Sequence, residues 1–235
     1  WFGERAGFLA AGILALSMWH IYWSQVARHF VLATLTVLLA LHGVMFVWRE
    51  RRYVIGAALT ATMFLLGLFT HTSTGFVAAG IGLFVVIQWA VLLTRGAAVW
   101  PRGDDRRHVT LVVALTLTLL IYLPAYVAVG KYLLGNIPPW NPPWNVFGSL
   151  AFYIPPWLAL PALAGGLALH QERDDSGMLF LSTIAAPVAL ATAASAFTTS
   201  SAAYALPALL PVALLAGVAL DRLTAATPEL SPAMR

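Results

Sequence analysis

Eight long apolar runs divide this chain, and they constrain its fold more than any other feature. They cover roughly residues 6–20, 29–48, 53–70, 74–94, 109–130, 147–169, 177–197 and 204–221. A helix needs about 20 apolar residues to cross the hydrocarbon core of a bilayer. Only 9% of the 235 residues are charged and 60% are hydrophobic, with a mean hydropathy of +0.83. A soluble domain carries about 25% charged residues. So little polar surface cannot face water all round, and the expected fold is an all-α polytopic membrane helix bundle of about eight transmembrane helices. Residues 1–235 read as one transmembrane domain, with 223–235 a flexible tail. The chain has no cysteine, which excludes disulfides and thiolate metal sites.

The first run is the shortest, and its end is marked by Trp19, Tyr22 and Trp23. Tyr and Trp favour the membrane–water interface. Residues 6–18 have the length of a signal-peptide core, but no basic region precedes them and no small-residue cleavage site follows. The sequence opens on Trp1 rather than Met, and the expectation is a fragment with a further helix upstream.

Charge sets the orientation. With the N-terminus inside, the cytoplasmic connections hold Arg5, Arg49, Arg51, Arg52, Arg95, Arg102, Arg106, Arg107, Arg173, Arg222 and Arg235, and the outer ones only Arg28 and Lys131. That is the positive-inside pattern of a multi-pass protein in a plasma (inner) membrane. It also accounts for the pI of 9.8 through short basic loops, so no nucleic-acid partner is implied. Glu4, Glu50, Asp104, Asp105, Glu172, Asp174, Asp175, Asp221 and Glu229 all fall on the cytoplasmic side in this topology. The outer side is rich in His, neutral polar groups and aromatics, and has no carboxylate to serve as general base or hard-metal ligand.

Arg28 is the outstanding outer residue. Ser24 reads as an N-cap, which places Arg28 in the first turn of the helix running to Trp48. A cation there opposes the helix dipole, and no acid lies at helical spacing to offset it. The backbone N–H groups of a first turn attract anions, and an arginine beside them completes a phosphate clamp. The other reading is an arginine that snorkels to headgroups or water. Tyr22, Gln25 and His29 lie next to it in sequence. His71, in "FTHTSTG" (69–75), can donate to a phosphate oxygen or simply cap an interface, with its Ser and Thr neighbours as helix caps. His20, His29 and His71 could together hold a divalent metal, although no tight ligand spacing supports it. His42 lies mid-membrane as a helix-contact residue, and His108 and His170 read as cytoplasmic and solvated. Lys131 would steer an anionic headgroup or serve as a flanking anchor. It precedes a tandem PPWN at 138–141 and 142–145, where paired prolines favour extended backbone. The tryptophans of that repeat suit either a sugar face or the interface.

Three stretches resemble a known family. "HIYWSQVARHF" (20–30), "FTHTSTGF" (69–76) and "AYALPALLPVALLAGVAL" (203–220) are similar, in order and spacing, to motifs of the multi-pass GT-C glycosyltransferases. The nearest group contains the protein mannosyltransferases and lipid A aminoarabinose transferases. The resemblance implies a membrane glycosyltransferase that moves a sugar from a polyprenyl-phosphate carrier to a lipid, glycan or protein acceptor at the outer face. It implies that Arg28 contacts the leaving phosphate, that Tyr22, Gln25, His29, His71 and Tyr204 line the pocket, and that the general base stands upstream of Trp1. Val26 occupies a position where the family often has Glu, and Ala203 one where it often has Arg. These departures keep a second expectation alive, a non-catalytic polyprenyl-lipid-binding or transport protein.

Overall fold

The structure, a computed structural model, describes the backbone of residues 1–26, 28–94, 106–134, 142–172, 174–195 and 202–226. Within these it describes every side chain except those of residues 23, 24, 26, 28, 129–134, 143 and 202–204. The described residues are helical, with no strand among them. In chain order the elements are α1 (Glu4–Leu16), α2 (Met18–Val26), α3 (Arg28–Trp48), α4 (Tyr53–Thr70), α5 (Thr74–Thr94), α6 (Arg106–Leu134), α7 (Pro143–Tyr153), α8 (Pro156–Gln171), α9 (Ser176–Ser195), a 3-10 helix (Ala202–Ala208) and α10 (Leu209–Ala226).

Six of the described helices are long and apolar enough to cross a membrane, or seven if α7 and α8 are taken as one bent span. The expected eight are therefore too many. The first run is not a span: α1 stops after 13 residues at Ser17, whose backbone is extended. At 1.5 Å per residue it is about 20 Å long, against a hydrocarbon core of about 30 Å. The run expected at 147–169 is broken at Ile154–Pro155, where α7 and α8 meet at 81°. Pro155 and Pro156 explain the break, because neither has an N–H to continue the ladder and each bars helical backbone in the residue before it. Pro142, at φ −56° and ψ 134°, is extended as its pairing predicts, but Pro143 then opens a helix, the one position where proline is at home in one. α10 continues to Ala226, so residues 223–226 of the expected tail are helical.

α3 and α10 form the centre. In their spanning windows 61% and 72% of residues are buried, against 28%, 28% and 22% in α4, α5 and α6. The outer helices present Leu66, Leu83, Val86, Leu117, Leu120 and Ile121 to the surroundings. An apolar belt of that extent belongs against lipid. Since lipid gives such helices no hydrophobic drive toward one another, close backbone approach holds them instead. At the α3–α4 crossing a Cβ on Gly56 would stand 2.7 Å from Gly43 O, and Thr60 Oγ1 donates to Ala40 O at 3.4 Å. At the α8–α10 crossing Gly165 lies directly against the Leu215 carbonyl.

The two ends of the bundle differ in chemistry. At one, Arg5 pairs with Asp221 (3.5 Å), Arg222 with Glu172 (2.7 Å), Arg52 with Glu50 (3.7 Å), and Arg49 with Asp174 and the Trp1 carbonyl. Arg107 lies over the Trp48 ring at 4.7 Å, and His108 meets the same ring edge-on at 5.1 Å. His108 is buried there, not solvated as its loop position suggested, because Trp48 covers it. His42 accepts a hydrogen bond from Trp1 Nε1 at 3.0 Å, in the segment before α1. The other end gathers Trp19, Tyr153, His29, Phe30 and His71.

Candidate functional site

The aromatic end is assembled from four local features. α2 brings Tyr22 and Gln25, both exposed. α3 begins at Arg28, followed by His29 and the buried Phe30. The α4–α5 turn contributes His71 and Ser73, and the α7–α8 elbow contributes Tyr153. Ser24, read as the N-cap of α3, falls within α2, and its side chain lies outside the described residues. Arg28 nevertheless holds the first-turn position expected of it, and its side chain lies outside the described residues. The side chains of Lys131 and Tyr204 also lie outside them. Their backbones fall in the last turn of α6 and in the 3-10 helix.

His29 and His71 come together from separate helices. Their rings stack at 5.4 Å between centroids, only 16° from parallel. Phe30 closes one side, 4.3 Å from the His71 ring and 4.6 Å from that of His29. The turn after α4 fixes His71. Its backbone is extended, at φ −160° and ψ 130°, and its N–H returns to Gly67 O. Its carbonyl accepts from Thr74 N–H at 3.1 Å, which starts α5. His71 Nδ1 accepts from Ser73 N–H at 3.2 Å and meets Ser73 Oγ at 2.7 Å. An Nδ1 that accepts leaves the proton of the neutral ring on Nε2.

Burial pushes the His71 pKa down to about 4, with the nearby His29 as the smaller cause. At neutral pH the ring is therefore uncharged. Such a ring is a hydrogen-bond donor through Nε2 and not a cation.

Trp19 belongs to the same aromatic cluster as Tyr22 and Trp23 in the sequence. It is only 1% exposed and stacks on Tyr153 at 4.9 Å and 14°, tying α2 to the elbow. Beside it a groove of about 720 Å³ runs between α1 and α8, lined by Phe8, Gly12, Leu16, Phe152, Trp157 and Leu158 among others. Among the described residues no three His, Asp or Glu side chains gather as a metal site. The described carboxylates Glu4, Glu50, Glu172, Asp174, Asp175 and Asp221 all belong to the ion-paired end or adjoin it in sequence.

Sequence reasoning missed Phe30, Ser73 and Tyr153. Ser73, two residues after a histidine in a turn between helices, carried a legible signal; Phe30 and Tyr153 looked like any other apolar-run aromatics. No family model, curated protein or solved structure matches this chain.

Proposed function

We propose that this chain is a membrane glycosyltransferase that accepts a sugar from a polyprenyl-phosphate carrier and works at the aromatic end of the bundle, the outer face under the positive-inside assignment. One observation supports this above the rest: His71 is held as a neutral donor against His29, beside the first turn of α3 that begins with Arg28. That set suits an oxygen whose negative charge grows as a bond breaks. As the anomeric C–O bond of the donor breaks, the bonding pair goes to the phosphate oxygen. The N–H groups of the α3 first turn, the guanidinium of Arg28 and Nε2–H of His71 would stabilise it. The acceptor hydroxyl attacks the anomeric carbon and gives up its proton to a base that the described residues of this end do not assign. Tyr22, Gln25 and Tyr204 would border the sugar. Lys131 would draw the lipid phosphate toward the rim. The groove between α1 and α8 is apolar along its length and suits the polyprenyl chain.

The same groove favours a second reading, a protein that binds the polyprenyl lipid without turning it over. One experiment separates the two. The full-length protein is reconstituted and given labelled polyprenyl-phosphate sugars, and both transfer and donor binding are followed in the native protein and in Arg28→Ala. Transfer that Arg28→Ala reduces by about a hundredfold or more, the scale of one lost charge-stabilising donor, supports the enzyme. Binding that Arg28→Ala weakens, without transfer, supports the carrier. Neither transfer nor any effect of Arg28→Ala on binding removes both.

A further inference from the structure

A cleft of about 390 Å³ lies between α5 and α6. Gly75, Ala78 and Ala79 of α5 border it on one side, and Leu115, Leu119 and Tyr122 of α6 on the other. The small residues make room for it. Ala79 and Leu119 are exposed, so the cleft opens outward. Tyr122 fixes its level in the bundle. The ring meets Phe69 edge-on at 5.4 Å, and α4 ends one residue later, at Thr70. α4 has 18 residues, about 27 Å at 1.5 Å per residue, against a hydrocarbon core of about 30 Å. Tyr122 therefore stands at the outer edge of that core. Near it Leu119, Leu120, Ile121, Leu123 and Val127 are exposed around α6, and a surface so apolar belongs against lipid.

The cleft has one polar feature that the protein leaves unmatched. Tyr122 is only 6% exposed, yet its hydroxyl has no hydrogen-bond partner among the described residues. The oxygen is not closed off with the ring. A hydroxyl taken out of water without a partner is costly. Thr118, one turn away, donates its own hydroxyl to Ala114 O at 2.8 Å. A tyrosine hydroxyl stands too far from its own helix to do the same. Thr72 and Tyr126 border the same cleft, and their hydroxyls are likewise unbonded among the described residues. No charged side chain lines it.

We propose that this cleft binds one acyl chain of an outer-leaflet glycerophospholipid, whose ester carbonyl accepts a hydrogen bond from the Tyr122 hydroxyl. The chain lies against Leu68, Phe76, Leu115 and Leu119, which line the apolar part. The ester of such a lipid sits at the edge of the hydrocarbon core, the level of Tyr122. It offers acceptors without charge, which suits hydroxyls that have no cation beside them. A polyprenyl phosphate has no such ester, and its oxygens carry charge. A helix is about 10 Å across with its side chains, too wide for this cleft, whereas a single hydrocarbon chain fits. The site is separate from the groove between α1 and α8 and does not rest on the transferase reading.

The chain has no cysteine, so Leu83→Cys, exposed one turn from Ala79, carries a single fluorophore beside the cleft. Leu160→Cys on α8, also exposed, carries the same fluorophore on a distant part of the surface as a reference. Each full chain is reconstituted with diester phosphatidylcholine brominated on its chains, which quenches the fluorophore. Unbrominated phosphatidylcholine of the same chain length, either diester or diether, then competes. At position 83 the diether should relieve quenching about fivefold less effectively than the diester, the scale of one hydrogen bond. At position 160 the two should compete equally. Tyr122→Phe keeps the ring contact with Phe69 and should abolish the difference at 83. Equal competition at 83, the same difference at 160, or a difference that survives Tyr122→Phe overturns the proposal. So does quenching at 160 with none at 83, which would mean that something other than lipid covers the cleft.

Discussion

His71 is the residue on which most of the aromatic end converges. Its ring is held by Ser73, Phe30 and His29, and its pKa of about 4 stands below the ordinary 6.5. Between those two values an unfolded chain takes up a proton that the folded site refuses. Stability is therefore undiminished by this group above pH 6.5, falls as the pH drops toward 4, and levels off below. Melting temperatures measured from neutral pH to pH 4 should fall less steeply in His71→Phe than in the native protein; equal slopes would show that burial does not hold the ring neutral. Ser73→Ala removes the hydroxyl contact to Nδ1 and should cost about 1 kcal/mol in the same measurement. The candidate residues were readable as types, because His, Gln and Tyr next to a first-turn arginine are unusual between apolar runs. The pairing of His29 with His71 was not readable, since it depends on how α3 and α4 are rotated about their axes, and that is set by the Gly43–Gly56 crossing far down the helices.

The elements were legible where breakers are explicit. α4 and α5 begin and end where their apolar runs do, at 53–70 and 74–94, because Arg51–Arg52 and the His71–Ser73 turn interrupt the pattern on either side. Hydropathy alone misjudged the two places where the chain breaks without turning polar. Ser17 ends α1 inside an apolar run, and Pro155–Pro156 bends another that remains hydrophobic throughout. Replacing both prolines by alanine should let α7 and α8 join into one straighter helix. Distances between spin labels at positions 148 and 167 would lengthen. The crossings are equally specific. Gly165→Ala drives a methyl into the Leu215 carbonyl and should cost about 2 kcal/mol, as overpacking does, read as a lower melting temperature in detergent. Gly148→Ala, with nothing near it, should leave that temperature unchanged.

Across the whole molecule the charge pattern of the sequence reappears as three-dimensional pairing. Arg5 with Asp221, Arg222 with Glu172 and Arg49 with Asp174 join the first segment, the α3–α4 turn, the α8–α9 turn and α10. These partners are partly exposed, so each pair contributes about 1 kcal/mol or less, and Arg49→Ala should loosen the N-terminal segment without unfolding the bundle. Faster proteolysis or hydrogen exchange confined to residues 1–16 would register this. Trp19 meets Tyr153 at the end opposite the ion pairs. The span count differs because α1 is too short to cross a bilayer and the run at 147–169 is bent.

This segregation gives the two ends separate sensitivities to the solution around them. Ionic strength acts on the arginine–carboxylate pairs, whose partly exposed charges salt can screen, and has little to grip among stacked neutral rings. Acidity acts on His71, at the opposite end, between pH 6.5 and 4. Salt thus loosens the ion-paired end and protonation of His71 the aromatic end, while the glycine crossings of α3 and α10 between them are touched by neither.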